Sequence, residues 1–257
     1  MSRRRLVVAN WKMYKTVAQS VAYAREVCRR LEQEPVPPAV EMVVAPTYPA
    51  LAAVAARLQA VGVTAAAQNL DPGREGALTG AVSGYLLREA GARYVIVGHS
   101  ERRQMFQETD LMVAEKVGEA LSAHLTPILC VGESHAERER GETESVIGRE
   151  LAAVFGDLPE PAPELVVAYE PIWAIGTGVV AEPGEANRVA ALIRGLVDKA
   201  WPGAGQSVRV LYGGSVNPRN VRDIFGQGDI DGALIGSASL RVDDFLAMAR
   251  AGAETGD

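Results

Sequence analysis

The sequence predicts an α/β protein built as a single (β/α)8 barrel. Three observations carry that prediction. Eight short apolar runs recur along the 257 residues, helix-like segments separate them, and no low-complexity linker divides the chain. The runs are mostly apolar on both faces, as strands of a parallel sheet covered by helices must be. Eight such units in this length suit a closed barrel. A doubly wound sheet is the alternative, weakened because no GxGxxG follows the first run.

The units run in order. RLVVAN (5–10) leads to a helical pattern over 16–32, and VEMVVA (40–45), fed by the Pro-rich EPVPPAVE (34–41), leads to 48–60. VTAAAQ (63–68) is separated from a helix at 83–90 by NLDPGREGALTGAVS (69–83). RYVIVG (93–98) precedes 109–122, LTPILC (125–130) precedes 142–155, and ELVVAY (164–169) precedes 183–200. VRVLYG (208–213) precedes a helix at 217–225, where Asn217-Pro218 reads as an N-cap followed by proline at the first helical position. IDGALIG (230–236) precedes 243–250. One domain spanning 1–257 is expected.

Composition narrows the function classes. Hydrophobic residues at 48% and charged residues at 23% suit a globular chain with a sizeable core. A formal net charge of -6 offers no global basic field for nucleic acid. The opening MSRRR is basic, but LVVANW behind it is too short and polar for a signal sequence. Nothing approaches a membrane span of about 20 apolar residues. Cys28 and Cys130 have no CxxC or CxxH partner and read as small buried hydrophobes. A cytoplasmic, reducing setting is the expectation.

In such a barrel the chemistry sits where strands end and βα loops begin. Asn10 and Lys12 follow run one; His99, Ser100 and Glu101 follow run four; Glu170 follows run six. YGGS, ending in Ser215, follows run seven, and IGS, with Gly236 and Ser237, follows run eight. Each glycine loop alone is an ordinary tight turn. Together on adjacent strands they read as a phosphate cradle, since backbone N–H groups at helix starts bind anions. Lys12 elsewhere would be a solvated lysine; at this mouth it neutralises an anionic substrate. His124, at a helix end, and His135, in ESHAERER, read as structural or solvated, leaving His99. A helix N-terminus disfavours imidazolium, so His99 reads as a neutral hydrogen-bond donor. Glu170, between an apolar strand and Pro171-Ile172-Trp173, reads as a base that an apolar cover desolvates.

A base, a neutral electrophile, a lysine and a phosphate cradle suit proton abstraction beside a carbonyl in a small phosphorylated sugar. An enediolate beside a phosphate can expel it in water, and PIWAIGTG (171–178) reads as the lid that prevents this. Its bulky apolar residues would form the tip, with Gly176 and Gly178 as hinges. No metal-ligand spacing, flavin or nicotinamide fingerprint or nucleophile elbow is present, and no cofactor is expected.

ANWKM, VGHSERR, CVGE, YEPIWAIGTG, LYGGSV and DGALIGSASL, in this order and spacing, resemble the triosephosphate isomerase family over nearly the whole chain. The resemblance implies interconversion of dihydroxyacetone phosphate and D-glyceraldehyde 3-phosphate. It implies His99 as electrophile, Glu170 as proton acceptor, and Asn10 and Lys12 as substrate-binding residues. Gly176, Ser215, Gly236 and Ser237 would give N–H groups to the phosphate, and Glu101 would support Lys12 from behind. The family is usually a homodimer whose third βα loop, here 69–83, inserts into the partner, so Thr79 would reach the neighbour's Asn10 and Glu101. Three departures stand out. Ala81 replaces a common Glu, which puts an inter-subunit ion pair with Arg102 in doubt; Ser237 replaces a frequent second Gly; and 186–194 lacks a usual Glu and His on an outer helix, a change expected to be neutral. Two other readings remain: a non-catalytic sugar-phosphate binder on the same barrel, and a barrel enzyme such as a pentose-phosphate epimerase, which wants metal ligands.

Overall fold

A computed structural model describes residues 3–158, 161–162, 164–175 and 181–254. Eight parallel strands close into a barrel in sequence order: β1 Arg5–Asn10, β2 Val40–Ala45, β3 Thr64–Ala67, β4 Ala92–Val97, β5 Thr126–Val131, β6 Val166–Tyr169, β7 Arg209–Tyr212 and β8 Gly232–Ile235. Closure comes from β8 pairing with β1, Val8 opposite Leu234. The predicted class and all eight strands are therefore present, with ends moved by at most two residues.

Strand periodicity builds two layers. Leu6, Val8, Val43, Ile96, Ile128, Val166, Leu211 and Leu234 fill the barrel interior. Their neighbours Val7, Ala9, Val44, Val95, Val97, Leu129, Val167 and Val210 pack outward against the helices. Successive side chains on a strand point to opposite faces, so a strand buried on both must be apolar throughout.

Around the barrel run α1 Val17–Gln33, α2 Tyr48–Leu58, α3 Gly84–Glu89, α4 Ser100–Met105, α5 Asp110–Ser122, α6 His135–Glu139, α7 Thr143–Asp157, α8 Pro183–Ala200, α9 Val221–Phe225 and α10 Val242–Glu254. Their starts follow capping chemistry. Thr16 caps α1 in a reciprocal capping box with Gln19, and the side chains of Ser83, Thr109 and Ser134 accept N–H groups of α3, α5 and α6.

Sequence patterning did not resolve α4 and α6, which are too short to show a helical period. The helix expected at 217 starts later. Asn217 Oδ1 accepts the Arg219 N–H at 2.9 Å and the Asn220 side chain accepts the Asn217 N–H at 2.8 Å, so these residues form a turn and α9 begins at Val221. In the 186–194 stretch, Ala186, Val189, Ala190 and Ile193 pack into the core. Arg194 is buried, donating to the carbonyls of Gly205 and Val208 and pairing with Asp231. Among the described residues no helix is long and apolar enough to cross a membrane.

Candidate active site

The carboxyl ends of the strands open into a cavity of about 580 Å³. Asn10, Lys12, His99, Glu101, Glu170, Ser215, Gly236 and Ser237 all line it. The chain thus brings together in space nearly every site residue read from the sequence. Gly176 and Gly178 lie outside the described residues, and Thr79 is exposed on the 69–83 loop.

Glu170 follows β6, and the β5–β6 ladder ends on its own N–H, which donates to Val131 O at 2.7 Å. Its carboxylate is buried and faces two donors. The Ser100 N–H reaches Oε2 at 2.9 Å and His99 Nε2 lies 3.0 Å from Oε1. Two glycines make room for it. A Cβ on Gly132 would meet the Glu170 carbonyl oxygen at 1.9 Å, and one on Gly213 would meet Glu170 Cγ at 2.8 Å. The β5 and β7 loops therefore press directly on the backbone and side chain of this one residue.

His99 is the N-cap of α4. Its Nδ1 accepts the Glu101 N–H at 3.2 Å. A nitrogen that accepts carries no proton, so the hydrogen-bond network assigns the ring proton to Nε2, aimed at Glu170. The cap fixes tautomer and ring direction together. The imidazole thus turns Nε2 toward Glu170 at the cavity wall.

Lys12 sits in the left-handed region at φ 48, a conformation that costs a β-carbon-bearing residue free energy. Two side chains hold it there. Asn10 Oδ1 accepts its N–H at 3.0 Å, and Gln68 Nε2 donates to its carbonyl at 2.8 Å and to that of Ala45 at 2.9 Å. The ammonium meets Glu101 Oε1 at 2.6 Å. Sequence reasoning missed Gln68 as a support; it closes the third apolar run, and only the barrel's closure puts it beside Lys12.

The segment after Glu170 is fastened at its base. Ile172–Ala174 forms a 3-10 turn. Trp173 Nε1 donates to Glu133 Oε1 at 2.8 Å and Tyr169 Oη to the same oxygen at 3.1 Å, while the Arg138 guanidinium lies 3.5 Å over the indole. Burial raises the Glu133 carboxyl above its usual range, against the pull of Trp173 and other donors. Trp173, expected at the tip of a lid, is thus part of the anchored base. The Ser215 hydroxyl donates to the Ala174 carbonyl at 2.8 Å, and the Ala181 N–H to Tyr212 Oη at 3.3 Å. The end of β7 and its loop thereby hold the chain on both sides of 176–180. Glu133 stands in the CVGE motif, but nothing in the sequence says which indole it meets.

Ser237 opens a 3-10 turn, Ser237–Leu240, and is absent from the positive-φ residues, so a side chain is accommodated there without strain. Arg102, left without a glutamate at 81, bonds Glu108 at 2.6 Å and stacks over Phe106 within its own chain. His135 is solvated, and His124 follows the end of α5 at φ 56. Cys130 is buried, and burial together with the nearby Glu170 charge pushes its thiol well above the ordinary value.

A closed (β/α)8 barrel with a buried carboxylate facing a helix-capping imidazole, and a lysine beside them, at the carboxyl ends of its strands has the architecture of a barrel enzyme. A sequence model of the family described as Triosephosphate isomerase matches residues 5–252. The triosephosphate isomerase of Dechloromonas aromatica is 46% identical over 250 residues, covering 97% of this chain and 99% of that one. That of Symbiobacterium thermophilum is 46% identical over 254 residues, covering 98% of each. The chain belongs to the triosephosphate isomerase family, and it is an isomerase.

Proposed function

We propose that the chain interconverts dihydroxyacetone phosphate and D-glyceraldehyde 3-phosphate through an enediolate, with Glu170 moving the proton between adjacent carbons. The observation that carries this reading is the buried pair at 3.0 Å, Glu170 Oε1 and His99 Nε2, at the mouth that Lys12 also lines. Both Glu170 oxygens are engaged by protein donors in the structure, so the carboxylate must exchange them for the substrate carbon acid. His99, freed of Glu170, has its Nε2–H available for the substrate oxygens. Lys12 stabilises the growing negative charge. Ser215, Gly236 and Ser237 line the cavity where the β7 and β8 loops converge, which supports their role in holding the phosphate. Gly176 belongs to the same reading through the family motif, and Asn10 acts by binding substrate and by fixing Lys12. No cofactor is needed. Purified protein should convert glyceraldehyde 3-phosphate rapidly in a coupled assay, with EDTA present. Binding without turnover would favour a sugar-phosphate binder, and loss of turnover on chelation a metal-dependent barrel enzyme.

The protein acts as a homodimer on this reading. Met13, Leu78, Met105, Phe106 and Leu111 are large, apolar and exposed, and they belong to the loops after β1, β3 and β4 and to α4 and the start of α5. Exposed apolar surface of that kind marks an interaction site. Thr79 lies on the same loop as Leu78. Thr79→Arg is expected to weaken association and activity together; unchanged sedimentation with full activity would contradict the dimer reading.

A further inference from the structure

Glu150 projects from the outer helix α7 and is buried. Nothing in the chemistry above uses it. Its Oε2 accepts the Gly132 N–H at 2.9 Å, and its Oε1 faces Arg103 Nη1 at 3.7 Å and Arg149 Nη2 at 4.0 Å. Gly132 is the residue pressed against the Glu170 carbonyl. Arg103 in turn donates to the Gly98 carbonyl at 3.0 Å, to Asp110 at 2.6 Å and to the Cys130 carbonyl at 3.5 Å. Gly98 immediately precedes His99. Glu150 therefore reaches each member of the proton-transfer pair through intermediaries and touches neither.

We propose that Glu150 is a positioning residue for that pair: its carboxylate fixes the Gly132 backbone against Glu170 and, through Arg103, the Gly98 turn that presents His99. The proposal rests on the isomerase reading. Charged and polar groups from every element around Glu150 bear on it: Arg103 from α4, Asp110 from the start of α5, the Gly132 N–H and the Cys130 thiol from the end of β5, and Arg149 from α7 itself. Burial pushes its carboxyl up to about 7; Arg103 and the Gly132 N–H pull it back, Asp110 pushes it further up, and Arg149 pulls it down. Asp110 itself is held low, because its bonds from Arg149 and Arg103 outweigh its own burial. Glu150 thus changes charge across the neutral range. Charged, it gives Arg103 a second anchor besides Asp110; protonated, it leaves Arg103 to Asp110.

Linkage supplies an independent readout. The folded value lies above the ordinary 4.5, so the native state holds this proton more tightly than the unfolded chain. Stability from this group is greatest at low pH, falls as pH rises from 4.5 to about 7, and stays low above that. A residue that costs stability while charged, yet raises kcat while charged, serves the site rather than the fold.

The test compares pH profiles of kcat for wild type, Glu150→Gln and Glu150→Asp on glyceraldehyde 3-phosphate, with thermal unfolding at low and high pH. Glu150→Gln keeps an acceptor for Gly132 and loses the charge. It should match wild type in kcat on the acid side and fall about tenfold below it on the alkaline side. Its unfolding midpoint should rise on the alkaline side only. Glu150→Asp should retain an ionisation, shifted, and part of the rate. The substrate phosphate, with its own second ionisation near pH 6, is common to all three and cancels in the comparison. Superimposable kcat profiles for wild type and Glu150→Gln would overturn the proposal while leaving the isomerase reading intact. A wild type without turnover would remove both. If Glu150→Gln fails to fold, full kcat and an unmoved ionisation in Glu150→Asp overturn the proposal.

Discussion

Glu170→Asp is expected to lower kcat by about a hundredfold or more, since an error of about 1 Å in a reacting group costs on that order. The substitution removes one methylene and draws the carboxylate back by about 1.5 Å, one C–C bond. The chain cannot move to compensate. The Gly132 and Gly213 loops already press on Glu170, and its N–H is fixed to Val131 at 2.7 Å. The charge, the barrel and the cavity all survive, and stability should change by about 1 kcal/mol, the scale of one buried methylene. KM should move little, because the phosphate loops are untouched. A kcat close to wild type in a folded Glu170→Asp enzyme would end the assignment of Glu170 as base. Circular dichroism and a parallel melting curve distinguish lost chemistry from lost structure.

Lys12→Met is expected to lower kcat/KM by about 10²- to 10³-fold, the scale of removing one charge-stabilising donor from a preorganised site. Methionine keeps most of the length and the apolar stem of lysine, so packing changes little. The left-handed backbone at residue 12 should persist, because Asn10 and Gln68 hold it through main-chain atoms. What disappears is the Lys12 ammonium at the cavity wall and its 2.6 Å contact with Glu101. That pair is partly exposed and contributes at most about 1 kcal/mol, so the fold tolerates the change. Loss should appear in both KM and kcat, since the ammonium meets an anion in the bound substrate and more negative charge in the enediolate. Inhibition by inorganic phosphate should weaken in parallel. Unaltered KM and kcat would show that Lys12 is only a solvated partner of Glu101.

The architecture was legible because a covered parallel strand has an unmistakable composition. All eight apolar runs became strands, and residues at or just beyond the ends of β1, β4, β6, β7 and β8 line the cavity. Asn10, Lys12, His99, Glu170, Ser215 and Gly236 are legible from their place at or just beyond a strand end, and all six line that cavity. The features that escaped were short or distant. α4 and α6 are only one or two turns long, and Asn217-Pro218 has the residues of a helix start but uses them in a turn. The supports Gln68 and Glu150 carry no local pattern, and Glu133, although it stands in CVGE, does not name its partner. Each is an ordinary polar residue until a partner far along the chain arrives: Gln68 meets Lys12, Glu133 meets Trp173, and Glu150 meets Arg103.

The sequence by itself determined the barrel and the end of it at which the candidate site residues gather. Hydrophobic periodicity and strand ends are local properties, and local properties survive in a linear string. Only the tertiary structure decided the proton's place on His99, the strained backbone of Lys12 and the glycine gaps that admit Glu170. It also decided which buried carboxyls stand behind them. Most of these depend on distances between residues tens of positions apart, set when the barrel closes, and burial then gives a carboxylate such as Glu150 properties that its name in the sequence does not carry.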